Sequence, residues 1–232
     1  MKIKTTLFSL LLVTGAAILL SSSTVSANGL GAGIVGSPHD FSSLVDNPWN
    51  TREEICRTCH VPHDHGRTIY PVGLLWNHEV TTQTFTPYTM VDGTTTGQPD
   101  GISKLCLGCH DGTVAIDEWD GRNGVGVPGT TFLTGGYVVP GAGNGGSLAR
   151  THPLSVVYSY DAADADGLND PNTTVMGTSG FVASVLETGR VQCSTCHDVH
   201  DNEAVAGTHL LRVAQKATQG QASGLCLACH NK

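Results

Sequence analysis

Cys56-Arg57-Thr58-Cys59-His60-Val61-Pro62-His63 and Cys193-Ser194-Thr195-Cys196-His197-Asp198-Val199-His200 share one form, C-x-T-C-H-x-x-H, and its reading decides the fold. Two further stretches, Ser103-Lys104-Leu105-Cys106-Leu107-Gly108-Cys109-His110 and Ser223-Gly224-Leu225-Cys226-Leu227-Ala228-Cys229-His230, share S-x-L-C-L-x-C-H. All eight cysteines of the 232-residue chain fall in these four copies of Cys-x-x-Cys-His. On a helical turn, residues i and i+3 share a face and i+4 lies beside them. The pairs Cys56/Cys59, Cys106/Cys109, Cys193/Cys196 and Cys226/Cys229 can therefore bond the two vinyl groups of a porphyrin while His60, His110, His197 and His230 reach its iron. The spacing predicts four covalently held c-type haems.

Two rival chemistries use the same cysteines. Paired Cys-x-x-Cys motifs also make zinc sites, and an even cysteine count in an exported chain often means disulfides. Neither needs a histidine after every second cysteine. Histidine is 11 of 232 residues, so four such coincidences have odds of roughly a few in a million.

The N-terminus predicts the compartment. Lys2 and Lys4 precede an apolar stretch from Leu7 to Leu20, then a Ser-rich segment and Val25-Ser26-Ala27. This reads as a secretory signal covering 1–27 with a small-residue cleavage site. The apolar stretch is short of the roughly 20 residues that span a bilayer, and no other segment resembles a span. An exported protein is expected, extracellular or at the cell surface, with the periplasm as the alternative. Removal of the signal leaves about 205 residues, roughly 51 per haem, as a single domain over 28–232. Aromatic residues are only 6% and there are 29 glycines, with no long periodic apolar segment to form an ordinary core. The expected fold is mostly irregular coil with short α-helices and few short strands, packed around porphyrins. Trp49, Trp76 and Trp119 are expected to pack on porphyrin faces. The net charge of −8 becomes still more negative without Lys2 and Lys4, which excludes nucleic acid and anionic membrane as expected partners.

The motif types alternate along the chain, so the domain reads as two dihaem units, about 28–120 and 150–232. A Gly-rich segment, Gly121 to Gly146, joins them and suits surface turns and short strands. Met1, Met90 and Met176 are too few to serve four irons, whereas seven histidines lie outside the motifs. Two histidines per iron is the economical reading. His63 and His200 each lie three residues past a motif histidine and cannot bend back to the same iron. They are expected to serve neighbouring haems: His63 the one at Cys106 and Cys109, His200 the one at Cys226 and Cys229. His39 and His152, one upstream of each unit's first motif, are the other two candidates, and His78 is their competitor. His65 and His209 read as solvated or supporting histidines. The acidic run at Asp161 fails the EF-hand register, which would begin at Ala162 and end at Thr173.

Pro38-His39-Asp40-Phe41-Ser42, the two C-x-T-C-H-x-x-H stretches, Leu75-Trp76-Asn77, Cys106-Leu107-Gly108-Cys109-His110-Asp111-Gly112-Thr113-Val114-Ala115, His152-Pro153 and Leu211-Arg212 resemble the doubled Cys-x-x-Cys-His multihaem cytochromes. Within that family the likeness is to tetrahaem subunits of extracellular cytochrome filaments, and it spans most of residues 28–232. The resemblance implies bis-histidine haems in a continuous chain and one distal ligand crossing between subunits. It also implies copies of the chain joined head to tail, with other redox proteins and extracellular acceptors as partners. His39, or failing that His78, is expected to make the crossing.

Three function classes follow. An electron conduit, either filament subunit or periplasmic shuttle, is the expected one, with no enzymatic activity. A multihaem reductase of a small nitrogen or sulfur oxyanion needs an iron with an open side, which the surplus of histidines and the lack of a Cys-x-x-Cys-Lys variant disfavour. A haem-based sensor or structural surface protein has the least support.

Overall fold

A computed structural model of the chain describes residues 33–63, 75–120, 129–143, 146–163, 167–215 and 223–231. The signal over 1–27, His65, and parts of the Gly-rich joint and of the acidic run lie outside the described residues. Regular structure is sparse, as expected. Helix α1 spans Gly101–His110, and α2 (Val182–Val185), α3 (Cys193–Cys196) and α4 (Gly224–Leu227) are single turns. Strands β1 (Val156–Val157) and β2 (Arg190–Val191) pair antiparallel, and a 3-10 turn covers Gly135–Tyr137. No helix among the described residues is long and apolar enough to cross a membrane.

Sequence explains why α1 is the one long helix among the described residues. Leu105 and Leu107 are buried on it, and Gly108 lets it approach a neighbouring chain segment closely. A Cβ at Gly108 would stand 2.9 Å from the Glu79 carbonyl oxygen. The helix stops where Gly112 takes φ +70° and donates its N–H to Cys109 O at 3.0 Å, a glycine stop that a β-carbon would strain.

Two small apolar clusters flank the polar middle. In the first half, Phe85, Leu107, Ala142 and Leu148 pack together. In the second, Tyr158, Met176, Val182, Val191 and Ala228 do so. The joining segment is thus partly built into the first core, because fully buried Ala142 supports Leu107 of α1. Clusters this small leave much of a chain of this length to be ordered by something other than apolar burial.

The halves meet through hydrogen bonds between α1 and α3. The first free N–H groups of α1 are taken by acceptors from the second half. Ile102 N–H donates to Glu187 Oε2 (2.9 Å) and Ser103 N–H to Gln192 Oε1 (3.3 Å). In return, Cys193 N–H donates to Ser103 Oγ (3.0 Å) and Gln192 Nε2 to Asp100 Oδ1 (3.2 Å). Ser155 Oγ also donates to Gln192 Oε1 (3.2 Å). Gly101, at φ +51°, is required here, since a Cβ would lie 2.6 Å from Glu187 Oε2.

Candidate functional site

Each motif closes one helical turn. His60 N–H donates to Cys56 O (2.8 Å), His197 N–H to Cys193 O (3.0 Å) and His230 N–H to Cys226 O (2.8 Å), and Cys106, Cys109 and His110 lie in the last turn of α1. The eight cysteines are free of disulfides.

The two C-x-T-C-H-x-x-H copies match bond for bond. Asn77 N–H donates to Cys59 O and Val61 N–H to Leu75 O. In the second copy, Arg212 N–H donates to Cys196 O and Asp198 N–H to Leu210 O. His60 bridges Trp76 as His197 bridges Leu211. Side chains repeat too: Asn77 Nδ2 donates to Arg57 O, and Arg212 Nε to Ser194 O. Leu75 (φ +48°) and Leu210 (φ +57°) both take the left-handed conformation that branched side chains avoid, so the same strain is held at the same place beside each motif histidine.

The four motifs lie next to one another in chain order. Buried thiols of consecutive motifs are close enough to act on each other. Burial, then the neighbouring Cys59, raises Cys109. The Cys106 thiol donates to Cys193, which raises the former and lowers the latter. Burial, then Cys229, pushes Cys196 up to about 11. Among the described residues no three His, Cys, Asp or Glu side chains converge on a metal-sized point.

Histidines meet in pairs instead. The rings of His39 and His110 are 6.0 Å apart, those of His60 and His200 6.3 Å, and those of His152 and His230 6.3 Å. Each pair joins one motif histidine to one histidine outside the motifs. A metal–imidazole bond is about 2 Å and the ring centre lies about 1.2 Å behind the nitrogen, so two imidazoles that shared one metal would have centres up to about 6.4 Å apart. A haem iron takes only two protein ligands, and the pairs fit that demand.

The rings are also prepared as ligands. His110 Nδ1 lies 2.7 Å from Tyr137 O, His197 Nδ1 2.7 Å from His209 O and His152 Nδ1 3.0 Å from Pro153 O. An Nδ1–H donated to a carbonyl leaves Nε2 as the free lone pair and fixes the ring's direction. His39 is held neutral: burial, then the neighbouring His110, His197 and His200, lowers its pKa to about 4.

The arrangement departs from the expected pairing. His200 stands opposite His60 rather than beside His230, and His39 takes the position beside His110 that was expected for His63. His63 is exposed. His78 is buried against the second motif, with Nδ1 2.8 Å from Glu79 O and Nε2 3.5 Å from Cys109 Sγ, and the structure does not bring it to a motif histidine. Burial lowers its pKa, against the hydrogen bonds of the Glu79, Ile116 and Ala115 carbonyls. His197 has no ring partner among the described residues. Met176 is fully buried in the second apolar cluster, where its thioether fills a core position.

A further sign of fit lies in orphaned donors. Trp49, Trp76 and Trp119 each have an indole Nε1 that is buried without a hydrogen-bond partner. The carbonyls of Tyr137, Pro153 and His209 had no sequence signal, because backbone acceptors are chosen by the fold and not by residue type. No protein-family model matches the chain, and no curated protein matches it.

Proposed function

We propose that the chain carries four c-type haems and conducts electrons along them, as the repeating subunit of an extracellular filament. The observation that carries this reading is the set of three histidine pairs, each one motif histidine facing one other histidine at 6.0–6.3 Å.

When bound, the haem would supply an iron that passes between ferric and ferrous states. The chain's own part is to hold and to space. Cysteine pairs would hold the haem covalently, the paired imidazoles would ligate its iron, and carbonyls at Tyr137, His209 and Pro153 orient the imidazoles. The electrostatic influence of Cys59 on Cys109, of Cys193 on Cys106 and of Cys229 on Cys196 supports neighbouring sites in chain order, which is the order a conduit needs. Two imidazoles per iron, without a methionine sulfur, favour low potentials.

His197 supports the filament. Its ring is oriented by His209 O, and among the described residues no second imidazole ring packs against it. The internal repeat names the missing partner: His63 stands to the first copy as His200 stands to the second, and His200 reaches the motif histidine of the other half. Head-to-tail copies would let His63 of one chain reach His197 of the next, which reuses between chains the contact already made within one. The contact is heterologous and therefore propagates. An unfilled His197 iron is the alternative, and it would favour the reductase.

The test is intact mass and spectra of protein from an export-competent host. Four haems, low-spin in the assembled state, are expected, with one haem opening to carbon monoxide when copies are separated. Fewer than four haems, or bound zinc, overturns the haem reading. An assembly that keeps one open iron and turns over nitrite or hydroxylamine overturns the conduit. A soluble, unassembled protein with four low-spin haems would make it a periplasmic shuttle.

A further inference from the structure

We propose that the indole N–H groups of Trp49, Trp76 and Trp119 are hydrogen-bond donors to the haem carboxylates of the first half, a set of anchors the second half lacks. The inference rests on the tetrahaem reading. It begins from an imbalance: these are the chain's three tryptophans, and all three have a buried Nε1 with no partner. Indole offers one donor and no alternative. Unpaired buried carbonyl oxygens are tolerated because they have spare lone pairs, but unpaired buried N–H groups are rare. Each left unmet is destabilising, so three together point to an acceptor that the loaded protein contains. The porphyrin's two carboxylates are the strong acceptors that haem brings.

Placement agrees. Trp76 lies edge-on to His60, 5.9 Å between ring centres at 88°, and 6.4 Å from His78. Trp49 packs on Phe41 (5.6 Å), which packs on His39 (6.2 Å). Trp119, 1% exposed, bridges His78 through its backbone and lies under the Arg52 guanidinium, 5.8 Å from its ring centre. Trp76 neighbours the site at His60, Trp49 reaches the site of His39 and His110 through Phe41, and Trp119 lies behind His78, which packs on Cys109 of the second motif. In the second half the place of Trp76 is taken by Leu211, which has no donor. The buried phenol there, Tyr158, is already spent on Asn169 O (2.9 Å) and Cys229 O (3.1 Å).

The consequence is a built-in difference between halves. A donor on a carboxylate withdraws negative charge from the neighbourhood of the iron and favours its reduced form. The haems at His60 and His110 would sit at higher potential than those at His197 and His230, so electrons would collect in the first half of each subunit.

The decisive experiment uses the full, haem-loaded protein. Trp76→Phe keeps an aromatic ring and removes only the donor. It should leave four covalent haems by intact mass and shift the reduction equilibrium of one haem about tenfold toward the ferric form, 59 mV for one electron, with a change in the carboxylate bending band of its resonance Raman spectrum. A second measurement needs no variant: exchange of indole N–H for N–D in deuterium oxide should shift the same band. Four haems with potentials and bands unchanged in Trp49→Phe, Trp76→Phe and Trp119→Phe, and no isotope shift in the parent, would overturn the proposal and leave the rings as mere packing. A protein without four haems would instead defeat the reading on which the proposal rests.

Discussion

The stretches 56–63 and 193–200 make the same backbone bonds, hold the same strained leucine beside the motif histidine, and differ in what their last histidine meets. The ring of His200 stands 6.3 Å from that of His60, with planes 24° apart. His63 lies exposed. Local sequence therefore dictates the hairpin-like turn around each motif, while the destination of the last histidine depends on which copy has a neighbour inside the chain. The second copy has one and the first does not. A repeat of two units in one chain always leaves one such valence at each end, here His63 and His197, and that asymmetry is what head-to-tail assembly would consume.

Removal of the two last histidines should break this comparison most sharply. His200→Ala is expected to open the iron facing His60 in every state, so that about a quarter of the haem becomes high-spin and binds carbon monoxide. His63→Ala should leave separated subunits spectroscopically unchanged and act only on the assembled form, by blocking filaments. Spin state and electron microscopy of both variants, measured side by side, check it. Four low-spin haems in His200→Ala would show that the 6.3 Å pair is only a packing contact.

The residues at equivalent places 77 and 212 give the next largest effect. Asn77 and Arg212 hold the same carbonyl of their motif, but Arg212 also donates to Ser179 Oγ (2.9 Å) and pairs with Glu203. Arg212→Ala removes three charge-assisted bonds from a largely covered side chain and should cost about 2–4 kcal/mol, against about 1–2 kcal/mol for Asn77→Ala. Urea midpoints of the haem-loaded variants decide the order. Equal losses would mean that the shared carbonyl contact carries both effects.

A third variant tests how far the halves depend on each other. Gln192 is 2% exposed and links Ser103, Ser155 and Asp100. Gln192→Ala leaves those buried groups unpaired, and about 1–3 kcal/mol of stability should be lost. Because α1 and α3 carry the second and third motifs, limited proteolysis should then cut the two halves apart more readily. Unchanged cleavage would mean that the joint is held elsewhere.

Much of this was legible in the chain because its chemistry is local. A Cys-x-x-Cys-His turn needs only its own five residues, so the helical turn at each motif, the paucity of regular structure and the alternation of motif types follow from residue order. Pairing is tertiary and was read less well. That His200 must leave its own site follows from its distance to His197, but its choice of His60 depends on how α1 docks on α3, which is decided by Glu187, Gln192 and Ser103. His78 resembled a ligand candidate beside Leu75-Trp76-Asn77, yet it fills a buried place against Cys109. The tryptophans read as porphyrin packing because ring faces are visible in a sequence and an unmet N–H is not.

The smallest expected effect concerns the ion cluster that only the first half has. Asp120 accepts from Arg57 Nε (2.8 Å) and Arg52 Nη1 (3.2 Å). Burial pushes its pKa up, but hydrogen bonds from Arg57 and Asn77 and the charges of Arg57 and Arg52 outweigh burial and hold it below the usual carboxylate range. A carboxyl depressed in the folded state contributes stability above its unfolded value of about 3.9 and loses it as pH falls through the folded value. Asp120→Asn should therefore be less stable than the parent near neutral pH, with the gap closing as pH falls through the folded value, below which both side chains are uncharged. The left-handed φ of +55° at this position is one that asparagine tolerates as well as aspartate does, so backbone strain should not confuse the reading. Urea midpoints of both proteins across acid pH supply the measurement. A gap that persists unchanged into acid would assign the loss to shape, and the arginines of the first half would then be holding the chain by hydrogen bonds that do not depend on charge.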